Sequence, residues 1–173
     1  MKRFFAALLA ACVGLGVAEA RAETNVKLTQ MHICCGSCTK AIVAATKDLT
    51  DSKTTVDQDN EEVSITADSP AAAQKAVDAI LAAGYHAKVE SGDVTISPSD
   101  VTAGKVSRVT VSGAHNCCGA CTKSIKEAVK GVEGVIADTC KPKESSFVVE
   151  GNNFDAKALA KVLNDAGFHV KVE

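Results

Sequence analysis

The sequence predicts an α+β protein built as two tandem copies of a β-α-β-β-α-β unit, each with two helices on a four-stranded antiparallel sheet. Three observations carry that expectation. The segment His32-Ile33-Cys34-Cys35-Gly36-Ser37-Cys38-Thr39-Lys40 returns 83 positions later as His115-Asn116-Cys117-Cys118-Gly119-Ala120-Cys121-Thr122-Lys123. The same offset carries Gly84-Tyr85-His86-Ala87-Lys88-Val89-Glu90 onto Gly167-Phe168-His169-Val170-Lys171-Val172-Glu173. Between these anchors each copy runs through the same succession of strand-like and helix-like periodicities.

The elements follow in order. Val26, Leu28 and Gln30 alternate before the first cysteine cluster, as do Val109 and Val111 before the second, which predicts an opening strand in each copy. After the clusters Ile42, Ala45, Thr46 and Leu49, and then Ile125, Ala128, Val129 and Val132, recur at helical spacing. A hairpin follows, from Thr54–Asp57 to Val63–Thr66 and from Val135–Asp138 to Phe147–Glu150, each turning through a polar stretch. Ser69-Pro70 marks a capped second helix ending at Gly84; Asn153 or Asp155 caps its counterpart, which ends at Gly167. Closing strands place Tyr85, Ala87 and Val89 on one face, matched by Phe168, Val170 and Val172. Together these make the ferredoxin-like order, twice. The copies span 23–90 and 106–173. Residues 91–105 form a linker with Gly92, Pro98 and Gly104, long enough to let the copies move independently, although Val94-Thr95-Ile96 can add a strand.

Residues 1–22 read as an export signal: Lys2 and Arg3, an apolar run from Phe4 to Val17, then A-x-A cleavage sites at Ala18-Glu19-Ala20 and Ala20-Arg21-Ala22. The run is too short for a membrane span, so no transmembrane segment is expected in the mature chain. Leu9-Ala10-Ala11-Cys12 offers a rival in which Cys12 is lipidated, and plain cleavage into the periplasm is the favoured reading. Cleavage removes three basic and one acidic side chain, taking the formal charge from −2 to −4. A mildly acidic chain without basic clusters excludes nucleic acid as the expected partner and suits cations.

Cleavage also leaves seven cysteines, three in each cluster plus Cys140. An oxidising compartment favours disulfides, yet seven is odd, and neighbours such as Cys34-Cys35 pair only through a strained ring. Cys35/Cys38 and Cys118/Cys121 instead straddle a strand-to-helix junction. There the exposed N–H groups and the helix dipole favour thiolate, and a thiolate pair is a soft ligand for Cu(I), Zn(II) and similar ions. Gly36 and Gly119 ease the turn.

These residues resemble the heavy-metal-associated domains of copper chaperones, metal-transporting ATPases and periplasmic mercury-binding proteins. That family carries G-M-x-C-x-x-C after its first strand. Ile42 and Ile125 stand at the helix position, Lys130-Gly131-Val132-Glu133-Gly134-Val135 matches the turn, and Gly84-Tyr85-His86-Ala87 matches the last-strand segment. The resemblance implies a non-enzymatic protein binding a soft heavy-metal ion at Cys35, Cys38, Cys118 and Cys121, with Cu(I) foremost and Zn(II) or Hg(II) as alternatives. It also implies exchange with a metal-transporting membrane protein or another chaperone.

The departures bear on the metal. His32-Ile33 and His115-Asn116 replace Gly-Met; Ile33 can pack beneath the loop, whereas Asn116 is a poorer substitute. Cys34 and Cys117 add a third thiol per loop, and their participation stands open beside that of His32 and His115, read as polar loop residues. His86 and His169 are expected on the open, solvated face of the sheet, with Tyr85 and Phe168 shielding the loops from water. Cys140 is either an extra thiol or a free one. The competing function is a thiol–disulfide oxidoreductase using the CxxC pairs, against which stand the short copies, the absence of tryptophan and prolines at unmatched positions.

Overall fold

The computed structural model describes residues 23–173; the export signal expected at 1–22 and Cys12 lie outside them. The first copy runs β1 (Thr24–Thr29), α1 (Gly36–Thr46), β2 (Ser52–Asp57), β3 (Glu62–Ala67), α2 (Pro70–Ala82) and β4 (Lys88–Ser91). Its sheet order is β2-β3-β1-β4, antiparallel throughout. The linker contributes β5 (Asp100–Val101), after which the second copy runs β6 (Lys105–Ser112), α3 (Gly119–Lys130), β7 (Val135–Asp138), β8 (Ser146–Asp155), α4 (Ala156–Asp165) and β9 (Lys171–Val172).

The chain is thus two ferredoxin-like units in tandem, with one correction. The second sheet has five strands, β5-β9-β6-β8-β7, because the linker adds β5 in parallel to β9. The added strand is Asp100–Val101, not Val94–Ile96. Alternation at Val94 and Ile96 measures their partial packing against the core, whereas β5 pairs because Thr102 N–H reaches the Val172 carbonyl.

Each core is mainly aliphatic. Val26 and Leu28 from β1, Val63 and Ile65 from β3, Ile42 from α1 and Ala76, Val77 and Ile80 from α2 are all buried. Val109, Val111, Val149, Ile125, Leu159 and Leu163 do the same in the second copy. Ser69 caps α2 by accepting from Ala72 N–H, and Asp155 caps α4 by accepting from the N–H groups of Lys157 and Ala158, which settles the choice between Asn153 and Asp155. Asn153 instead takes a left-handed φ of 50° within β8.

The copies pack against each other and against the linker. Gln74 holds Thr95 through two side-chain hydrogen bonds, and Ser99 Oγ donates to Asn164 Oδ1 at 2.6 Å while accepting from Val170 N–H. The copies themselves dock about a local twofold. His86 N–H donates to the Gly167 carbonyl and His169 N–H to the Gly84 carbonyl, each at 3.0 Å, flanking a bridge between Tyr85 and Phe168. Gly84 and Gly167 end their helices at φ 88° and 85°. A Cβ on Gly84 would strike the Gly113 carbonyl and the His115 amide, and one on Gly167 the His32 amide. Glycine here therefore serves the helix end and the close approach of the other copy together.

Candidate metal centre

Each cysteine loop connects the first strand of its copy to a helix whose N-cap is itself a cysteine. Cys35 and Cys118 hold extended backbones at φ −162° and −155°, and neither helix has an acidic residue in its first turn. The N–H groups at the start of α3 therefore point at sulfur: those of Cys121 and Ala120 hold the Cys118 thiol down to about 7. Cys38 and Cys121 lie one helical turn inward and are fully buried, while Cys34, Cys35, Cys117 and Cys118 are half-buried.

Docking brings the two loops face to face. Cys34 Sγ lies 3.5 Å from both Cys118 Sγ and Cys121 Sγ. Related by the twofold, Cys117 Sγ lies 3.8 Å from Cys35 Sγ and 3.5 Å from Cys38 Sγ. Within the loops, Cys34–Cys38 and Cys117–Cys121 are 3.8 and 3.6 Å apart, and the CxxC pairs Cys35–Cys38 and Cys118–Cys121 are 3.9 and 3.8 Å apart. All six thiols named from the sequence therefore meet in one place. Cys34 and Cys117, undecided from spacing, make the shortest contacts between copies.

The electrostatics of this cluster favour a cation. Thiol donors from Cys121, Cys117 and Cys34 hold Cys38 far below an ordinary thiol, at about 3. The donor side is pushed the other way: Cys121 rises chiefly through its hydrogen bond to Cys38, while burial raises Cys34 and carries Cys117 to about 12. One thiolate thus suppresses ionisation of its neighbours. Metal cations reverse that suppression, since each added positive charge makes the next deprotonation easier.

The histidines form the wall behind the sulfurs. His115 stacks on Tyr85 with ring centroids 3.8 Å apart and on Phe168 at 4.6 Å, and His32 lies 4.9 Å from Phe168. His115 Nδ1 donates to the Gly84 carbonyl at 2.9 Å, leaving Nε2 buried without a partner, as is His32 Nε2. A ring nitrogen of His115 groups with Cys38 and Cys121 within 4.8 Å, and one of His32 with Cys34 and Cys121. Burial lowers both imidazoles, His115 to about 4. They are interface residues within reach of sulfur rather than loop decoration.

Tyr85 and Phe168 are fully buried and shield the centre as expected, the Tyr85 hydroxyl donating to the Cys38 carbonyl. His86 and His169 are half-buried instead of fully solvated. Their rings stack at 5.5 Å with Nδ1 atoms 3.2 Å apart, because the face expected to be open is where the second copy docks. Cys140 stays out of the cluster: it is buried, its sulfur accepts from Asn116 Nδ2 at 3.5 Å, and burial raises its thiol to about 11.

No family model matches the chain, and no curated protein matches it. Among solved structures it is similar to the N-terminal soluble domains of Bacillus subtilis CopA, at 18% identity over 88% of this chain and 93% of that one, with a TM-score of 0.33. It is similar also to the water-soluble region of the P-type ATPase CopA from Bacillus subtilis, at 17% identity over 88% and 91%, with a TM-score of 0.32. The chemistry of the centre rests on its sulfurs.

Sequence reasoning left open whether the two loops hold independent sites or share an ion, and it did not place the interface between them. A signal was present. Gly84 and Gly167 repeat in register, as do the aromatic and histidine after each, and a glycine-aromatic-histidine patch carried by both copies is a self-complementary surface.

Proposed function

We propose that this protein is exported and non-enzymatic, and that it sequesters or hands on a thiophilic metal ion, with Cu(I) ahead of Zn(II) and Hg(II). The observation that carries this reading is the convergence of six free thiols, from two loops, at separations of 3.5–3.9 Å. Thiolates at helix N-termini are strong soft-metal ligands, and among the described residues every group of three or more candidate metal-ligating side chains lies in this cluster. The resemblance of each loop to heavy-metal-associated domains points the same way. A metal-transporting membrane protein or a second chaperone is the proposed exchange partner, reaching the half-buried Cys35 and Cys118 first.

The oxidoreductase reading explains less: it uses one CxxC pair per loop, with Cys35 or Cys118 as the attacking thiol, and leaves without a part Cys34 and Cys117, which make the shortest contacts between the loops. Anaerobic native mass spectrometry of the reduced protein with Cu(I), Zn(II) and Hg(II) tests the proposal. Tight retention of metal, lost when Cys35, Cys38, Cys118 and Cys121 become serine, is the expected result. Disulfide reductase activity without retained metal would overturn it.

A further inference from the structure

We infer that the two loops build one polynuclear centre, a cage of six bridging thiolates holding four Cu(I) ions, rather than two mononuclear sites; this rests on the soft-metal reading above. The sulfurs are connected in a closed pattern. Besides the eight separations of 3.5–3.9 Å already given, Cys34–Cys35, Cys35–Cys118, Cys117–Cys118 and Cys38–Cys121 each lie within 4.8 Å. The pairs that remain are Cys34 with Cys117, Cys35 with Cys121 and Cys38 with Cys118. They share no residue, so the six sulfurs are connected as the vertices of an octahedron, with these as its three diagonals.

Distance then selects the coordination. A thiolate bond to a closed-shell ion of this size is about 2.3 Å, which separates sulfurs by about 4.0 Å around a trigonal ion and about 4.6 Å around a linear one. The CxxC pairs, at 3.9 and 3.8 Å, are set for three-coordination and too close for a linear two-sulfur site. Three-coordinate ions sit on triangular faces. Cys34/Cys35/Cys38 and Cys35/Cys117/Cys118 are two such faces that share one sulfur, as alternate faces of an octahedron do. Completing the alternation gives Cys34/Cys118/Cys121 and Cys38/Cys117/Cys121, whose edges are all among the short separations. Every sulfur then belongs to two faces and bridges two ions.

The balance is simple. Four Cu(I) ions enter already reduced, the six sulfurs lose the protons they still carry, and no electron moves. The filled cage keeps two negative charges, toward which the N-termini of α1 and α3 both point. Cys34 and Cys117 are therefore structural members of the cage, although a mononuclear CxxC site has no use for them.

The decisive variant is Cys34→Ser with Cys117→Ser, which leaves both CxxC pairs intact. The full chain and this variant are loaded anaerobically with Cu(I) and compared by native mass spectrometry, copper X-ray absorption and circular dichroism. The inference predicts saturation at four copper ions per chain, appearing with few intermediate species, and a copper–copper scattering shell. It predicts at most two ions and no such shell in the variant, with an unchanged dichroism spectrum. Saturation of the full chain at any other number of ions overturns the cage while leaving soft-metal binding intact, as does a variant that loads like the parent. Retention of no metal at all overturns both.

Discussion

The two copies present nearly the same loop on different foundations. Beneath the first loop lies Ile33, buried in an aliphatic core together with Met31. Beneath the second lies Asn116, equally buried but fully used: its Nδ2 donates to the carbonyls of Lys141 and Glu144 at 2.7 and 2.9 Å, and its Oδ1 accepts from Thr122 Oγ1 at 2.8 Å. Its own carbonyl takes the Lys143 N–H. What the copies share gathers at the interface: the six thiols, four histidines and two helix-ending glycines. What they do not share is how each loop is supported. The shared features therefore belong to the joint site, and the unshared ones to the stability of each half.

The largest effect expected is from breaking the shared part. Gly84→Val with Gly167→Val pushes side chains into the backbone of the opposite copy. The account expects the copies to separate, seen as an increased radius of gyration in small-angle scattering, with each copy still folded by circular dichroism. A scattering profile identical to the parent's would show that the glycines do not set the docking.

The foundations are the next place to push. Ile33→Ala opens a cavity under the first loop and should cost about 2–5 kcal/mol in urea denaturation. Asn116→Ala removes the donor to the Lys141 and Glu144 carbonyls and the acceptor of the Thr122 hydroxyl, and should cost about 1–3 kcal/mol while freeing the 141–144 turn to exchange amide protons faster. If Asn116→Leu proved as stable as the parent, the polar network would be a substitute for packing and not an anchor.

A smaller effect comes from pH. Burial, then the charge of its partner, lowers His86 to about 4 from 6.5, and burial lowers His169 as well; the charges facing them are Asp165 and Asp100. The docked state therefore favours neutral rings, one Nδ1–H donating to the other ring's bare Nδ1. This contribution is fully present above about pH 6.5 and fades as pH falls toward 4. Metal-free protein should open on acidification, and His86→Phe with His169→Phe should blunt the response. An unaltered pH profile in that variant would remove the pair from the account. Least of all, the exposed Lys123–Glu127 pair of α3, placed where α1 has Lys40 and Ala44, is expected to contribute under about 1 kcal/mol and to vanish in high salt.

Most of the fold was legible because two independent periodicities repeat at one offset. Ser69-Pro70, Asp155 and the glycines after α2 and α4 punctuate the chain by local chemistry, which sequence carries directly. The site was legible only in part. Cys35/Cys38 and Cys118/Cys121 announce themselves by spacing at a helix N-terminus, whereas Cys34, Cys117, His32 and His115 acquire roles only when a second loop arrives. The misplacement of His86 and His169 has the same origin: alternation tells which face of a strand a side chain occupies, but not that another copy covers it. The strand at Asp100–Val101 depends on the exposed edge of β9, again a tertiary fact.

The central claim is that the loops of the two copies meet, and it can be tested without metal. In a variant whose only thiols are Cys34 and Cys118, whose sulfurs lie 3.5 Å apart, treatment of dilute reduced protein with a short thiol-to-thiol cross-linker is read by intact mass and peptide mapping. The account predicts rapid, near-complete linkage of Cys34 to Cys118 within one chain. Two singly modified thiols, or linkage only between chains, would contradict it.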